Sequence, residues 1–167
     1  MPILDEHTLD LISHSVDQTR RYGVRLGLLF QPGDIVGLEG ELGTGKTCLV
    51  QGVGEGMGVV EPITSPTFTL IAEHYPPVPA PPLYHIDLYR LNKALDEALA
   101  LGLDEYLWGE GVCLIEWADR IQAALPAERL WITLHHLDVS KRGIVIRATG
   151  KRYEQLLHEF RRTAFGV

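Results

Sequence analysis

Residues 40–47 read Gly40-Glu41-Leu42-Gly43-Thr44-Gly45-Lys46-Thr47, and no other stretch limits the fold of this chain so strongly. A polyphosphate must be met by several aimed donors with no side chain in the way. Three glycines let the backbone curl until successive N–H groups point inward, making a nest at a helix N-terminus. Lys46 then brings a point charge to the β/γ-phosphates, and the Thr47 hydroxyl is offered to Mg²⁺. Such an octapeptide also arises by chance, so its setting carries the argument. Ahead of it Ile35-Val36-Gly37-Leu38-Glu39 reads as a short buried strand, and behind it residues 46–57 read as a helix. Strand, loop and helix in that order predict a phosphate site in a layered α/β fold.

The remaining segments extend that pattern. Residues 8–30 carry Leu9, Ile12 and Val16 at helical spacing, with Thr8 or an earlier acid near the N-cap. Gln31-Pro32-Gly33-Asp34 is a turn. Residues 62–66 connect to an alternating stretch, 67–73, read as a strand, and 83–89 is read as another. Between them the proline-dense residues 75–82 suit a stiff hairpin loop, with an SH3-type ligand role as the alternative. Residues 94–101 look helical and stop at Gly102, and 111–117 is a further buried strand. Residues 129–136 and 143–149 alternate as two antiparallel strands, and 153–160 closes as a helix. Together these predict a P-loop NTPase-like three-layer sandwich, with a mixed sheet and a C-terminal antiparallel hairpin.

At 167 residues the chain suits one P-loop domain over 1–167. Hydrophobic residues at 46% and charged residues at 22% argue against long disorder. The first seven residues lack the pattern of a signal peptide, and no window approaches the ~18 apolar residues of a membrane span. A cytoplasmic protein with no membrane contact is the expectation. Cys48 and Cys113 have neither CxxC nor Cys/His spacing, so free thiols are expected and a zinc site is not. A net charge of −7 argues against a general nucleic-acid binder. Past Val139, however, seven basic residues face two acids. This basic tail is either a solvated face or a docking patch for an acidic partner or RNA.

A phosphate loop needs acids elsewhere to complete the metal site and to orient a water. Asp87 and Glu116 each stand late in an apolar strand, where a carboxylate is costly to bury unless paired or metal-bound. Guanine readers use Asn-Lys-x-Asp; here Asn92-Lys93-Ala94-Leu95 puts Leu95 where the acid must be, so adenine is favoured.

Four blocks in order, the octapeptide, then Ser65-Pro66-Thr67-Phe68-Thr69-Leu70, His85-Ile86-Asp87-Leu88-Tyr89-Arg90-Leu91 and Cys113-Leu114-Ile115-Glu116-Trp117, resemble the TsaE (YjeE) family over residues 5–150. The resemblance implies a bacterial ATPase needed for threonylcarbamoyladenosine (t6A) modification of tRNA, using ATP and Mg²⁺. It implies that Lys46, Thr67, Asp87 and Glu116 are catalytic, Thr67 on a segment that senses the γ-phosphate. Nucleotide contacts are implied for Glu41, Leu42, Gly43, Thr44, Gly45, Lys46, Thr47, Cys48 and Trp117, with Thr8 and Asp119 approaching the adenine. Thr47, Glu116 and Asp87 are implied as the metal ligands. The implied partners are the TsaD and TsaB proteins, with tRNA met through them. His85 reads as a structural hydrogen-bonded residue rather than a base. Two other classes stay open on the residues: a small-molecule kinase, and a non-catalytic docking module whose ATP site regulates it.

Overall fold

The computed structural model describes residues 3–66 and 70–166. In order they form β1 (Ile3–Leu4), β2 (Thr8–Ser13), α1 (Val16–Gly27), β3 (Ile35–Glu39), α2 (Lys46–Met57), β4 (Ile71–His74) and β5 (Leu83–Asp87). Then come α3 (Ala94–Ala100), α4 (Leu103–Leu107), β6 (Val112–Glu116), a 3₁₀ helix (Ala118–Ala124), β7 (Arg129–His136), β8 (Arg142–Thr149) and α5 (Lys151–Phe165).

All eight strands join one sheet in the order β1-β2-β8-β7-β3-β6-β5-β4. Its centre is parallel, β5 to β6, β6 to β3 and β3 to β7. The outer pairs are antiparallel, including the β7–β8 hairpin expected near the C-terminus. Apolar side chains leave the central strands on both faces. Val36, Leu38, Leu114 and Leu130 pack into a cluster with residues of α1, α2 and α5. Ile35, Cys113, Ile115 and Trp131 pack into a second cluster with residues of α3, α4 and the 3₁₀ helix. That is the three-layer sandwich, and it explains why these strands read as continuous apolar runs.

The N-terminal segment corrects the expectation of one helix over 8–30. Leu9, Leu11 and Ser13 alternate inward, and this stretch pairs antiparallel with β8 as a strand. The helix begins only at Val16, where the Ser15 hydroxyl accepts from the Gln18 amide at 3.0 Å. Of the strand expected over 67–73, residues 67–69 lie outside the described residues, and β4 occupies Ile71–His74. The proline-dense residues 75–82 join β4 to its antiparallel neighbour β5.

Helices α1 and α2 meet backbone to backbone. A Cβ on Gly52 would lie 2.1 Å from the Arg20 carbonyl oxygen, and one on Gly23 would lie 2.3 Å from that of Leu49. The glycines of α2 therefore serve close packing, and they brace the helix that begins at the phosphate loop.

Candidate phosphate and metal site

The loop leaves β3 and turns into α2 through two left-handed glycines, Gly43 at φ 77° and Gly45 at φ 103°. Side chains are strained there, which gives both positions a backbone reason to be glycine. Thr44 is buried and its hydroxyl donates to the Glu41 carbonyl at 2.8 Å, closing the loop on itself. Lys46 is also buried. It donates to the carbonyls of Gly40 and Glu41, and its ammonium stands 4.2 Å over the Trp117 ring. Burial pushes its pKa below the usual lysine range, against the opposing pull of Glu116, Asp87, Asp119 and Glu41.

The two acids come from adjacent parallel strands. β5 and β6 pair Asp87 directly with Glu116, at the carboxyl ends of their strands, where open α/β sheets bind ligands. Glu116 is 3% exposed. Its Oε1 lies 3.4 Å from the Thr47 hydroxyl, which also meets the Ser65 hydroxyl at 2.9 Å. Its Oε2 takes a short hydrogen bond from His85 Nε2. Asp87 is less enclosed and accepts from the Tyr89 amide at 3.0 Å. Burial is the main cause that raises its pKa, partly offset by the Tyr89 amide and added to by Glu116.

These groups line one cavity of about 270 Å³, with Gly43, Gly45, Lys46, Thr47, Asp87 and Glu116 on its wall. Leu42, Cys48, Ser65 and Trp117 border it too. Trp117 follows Glu116 at φ 61°, a left-handed setting uncommon for a bulky residue, and both the Lys46 ammonium and the Arg120 guanidinium lie over its indole, at 4.2 and 5.3 Å from the ring centroid. Hydroxyl and carboxylate oxygens meeting at a phosphate loop are the donor set that a small hard cation prefers.

A second cavity of about 350 Å³ opens on the far side of Gly45. Its walls include His14, Val16, Thr19, Cys48, Val139 and Arg142. Asp119 lines a third space, with Glu39, Glu41 and Trp117. Thr8 lies at the end of β2 paired with Arg147, five residues along the strand from Ser13, which pairs with Arg142. The structure thus brings Lys46, Thr47, Asp87, Glu116 and Trp117 together, and sets Thr8 and Asp119 outside the second cavity. Thr67 lies outside the described residues.

Sequence reasoning places Ser65 in a family block and in a candidate partner surface but assigns it no role beside Thr47, and it leaves His85 as structural. A period-2 reading would have found His85, because it shares a strand face with Asp87. The basic tail is partly used internally. Arg152 pairs with Asp34 at 2.7 Å, Arg161 donates to the Asp5 carbonyl, and Arg142 donates to carbonyls of 138, 139 and 141. Both cysteines are free thiols. No described helix is long and apolar enough to cross a membrane.

Residues 13–144 match the family model described as threonylcarbamoyl adenosine biosynthesis protein TsaE. The tRNA threonylcarbamoyladenosine biosynthesis protein TsaE of Bacillus subtilis (strain 168) is 44% identical over 146 residues, covering 87% of this chain and 89% of that protein. Its namesake from Treponema pallidum (strain Nichols) is 41% identical over 135 residues, covering 81% and 97%. The crystal structure of Bacillus subtilis YdiB matches with a TM-score of 0.78 at 39% identity, covering 98% of this chain and 97% of that one.

Proposed function

This chain belongs to the TsaE family of threonylcarbamoyl adenosine biosynthesis proteins, and from that premise we propose that it is a Mg²⁺-dependent ATPase serving the t6A modification of tRNA. The observation that carries the reading is the meeting of Thr47 and Glu116 beside the phosphate loop, with Asp87 on the adjoining strand.

The loop amides cradle the phosphate chain, and Lys46 exchanges the Gly40 and Glu41 carbonyls for the β/γ-phosphates. Thr47 and Glu116, helped by Asp87, would hold Mg²⁺, which when bound neutralises charge gathering on the phosphate oxygens. Water would attack the γ-phosphoryl in line as its bond to the ADP oxygen breaks, releasing ADP and inorganic phosphate, with Asp87 accepting the water's hydrogen bond; the sensing of the γ-phosphate by Thr67 rests on the resemblance alone. The base and ribose fit the second cavity, where Val16 and Val139 offer apolar walls and Arg142 a polar edge. On this reading the adenine neighbours are His14, Val16, Val139 and Arg142, and Thr8 and Asp119 lie outside that cavity.

Arg120 speaks against a kinase lid: its guanidinium is bound to the carbonyls of Leu88, Tyr89 and Leu91. Arg90, beside Ser65 and Asp87, is the remaining candidate for charge stabilisation, so turnover by the chain alone is slow. The reading includes TsaD and TsaB as partners whose complex is reset by hydrolysis, with the exposed Lys141, Arg147, Lys151 and Arg162 as a docking candidate and a cytoplasmic setting. Mixing the purified chain with TsaD–TsaB tests it. The reading expects complex formation and a changed rate of phosphate release. Neither binding nor a rate change would remove the coupling.

A further inference from the structure

His85 lies in the middle of β5, fully buried, and its Nε2 meets Glu116 Oε2. Because the register pairs Asp87 with Glu116, His85 is the diagonal neighbour two residues earlier on the same face, within reach of a long side chain. Its Nδ1 is buried without a hydrogen-bond partner among the described residues. A histidine retained only to satisfy the core would have both ring nitrogens paired. This ring instead directs its hydrogen bonding to one oxygen of one carboxylate.

That choice has a consequence for the other oxygen. An ionised carboxylate accepts at both oxygens, and a donor fixed on Oε2 restrains rotation of the group. Oε1 is then left facing the Thr47 hydroxyl, 3.4 Å away. Ligating carboxylates are commonly held in this way by a neighbouring donor, and losing that donor weakens metal binding by roughly 10–100-fold.

We infer that His85 is a positioning residue, holding Glu116 so that its Oε1 and the Thr47 hydroxyl present a preformed pair of oxygens to the cation. The inference rests on the metal-site reading above. It assigns the role to the hydrogen bond, not to a change in charge on the ring.

The test compares His85→Asn, whose amide is too short to reach Glu116, with His85→Gln, whose amide can replace Nε2. The chain is mixed with a fluorescent, non-hydrolysable ATP analogue. Two quantities are read: analogue affinity in EDTA, and the Mn²⁺ concentration that half-saturates the metal-dependent signal. For His85→Asn that concentration rises about tenfold, while affinity in EDTA stays within about twofold. His85→Gln returns to within about threefold of the parent chain. Identical behaviour of the two amides overturns the inference, as does a loss of EDTA affinity that matches the metal effect. If His85→Asn fails to fold, as judged by thermal unfolding, His85→Leu takes its place with the same expected values.

Glu116→Ala separates the two levels of the argument. If it leaves half-saturation unchanged, the metal-site reading fails and the inference fails with it. If it raises half-saturation while His85→Asn does not, only the positioning role is lost.

Discussion

Strands β3, β5 and β6 run parallel between two helical layers, whereas β2 and β8 run antiparallel at one side of the sheet, and the two regions border different cavities beside the phosphate loop. In the parallel block each strand ends on a polar device: the loop after β3, Asp87 on β5 and Glu116 on β6. Parallel alignment brings all three ends to one edge of the sheet, so charge and phosphate donors converge there. The antiparallel flank supplies no acid to this cavity. Through His14, Val139 and Arg142 it supplies walls at the far side of Gly45. Under the proposed function, chemistry belongs to the parallel block and grip on the base belongs to the flank.

Substitutions should split along that line. The largest effect is expected at Lys46→Ala, which removes the charge from the loop and lowers turnover by at least about 100-fold, the scale of losing a transition-state donor. A Lys46→Ala chain that keeps full activity in the t6A modification assay would favour the non-catalytic docking module. On the flank, Arg142→Ala frees the β7–β8 turn carbonyls and the contact with Gly43. It should raise KM for ATP roughly threefold to tenfold and leave kcat within about twofold, as expected for uniform binding. Steady-state kinetics on the same preparations would break the comparison if kcat fell instead.

The smallest effect concerns stability. Burial holds the Asp87 pKa above its ordinary value, so the folded chain binds that proton more readily than the unfolded one. Ionised Asp87 therefore costs stability at neutral pH, and the cost fades as pH falls through the raised value toward the unfolded one. Asp87→Asn should raise Tm by about 1–3 °C at pH 7 without metal or nucleotide, a gain that shrinks toward pH 4. Thermal scans across that range check it, and a gain that grows on acidification would reverse the sign.

The same contrast explains what the sequence reveals. Walled on both faces, β3, β5 and β6 appear as apolar runs closed by one polar residue, and α2 begins at Lys46 as its motif implies. The loop, Asp87 and Glu116 are legible for that reason. β2 is only half-buried, and its Leu9 and Ile12, with Val16 at the start of α1, mimic a helical face until Ile12 is seen to be exposed. A strand that pairs with β8, where Leu11 lies opposite Ile144, 133 residues further along the chain, has no local signal of its partner. The second cavity borders that pairing, so His14 and Arg142 carry no local signal of lining it, and Thr8 comes to the adenine only through the family resemblance. The hold of His85 on Glu116 also depends on register between strands, which no single segment encodes.

The most direct test of hydrolysis at this site is the release of inorganic phosphate from ATP by the purified chain with no acceptor present, measured with Mg²⁺ and again with EDTA. Slow release that stops in EDTA and is lost in Glu116→Ala is the expected result. ADP formation without free phosphate, or release indifferent to EDTA, would contradict it.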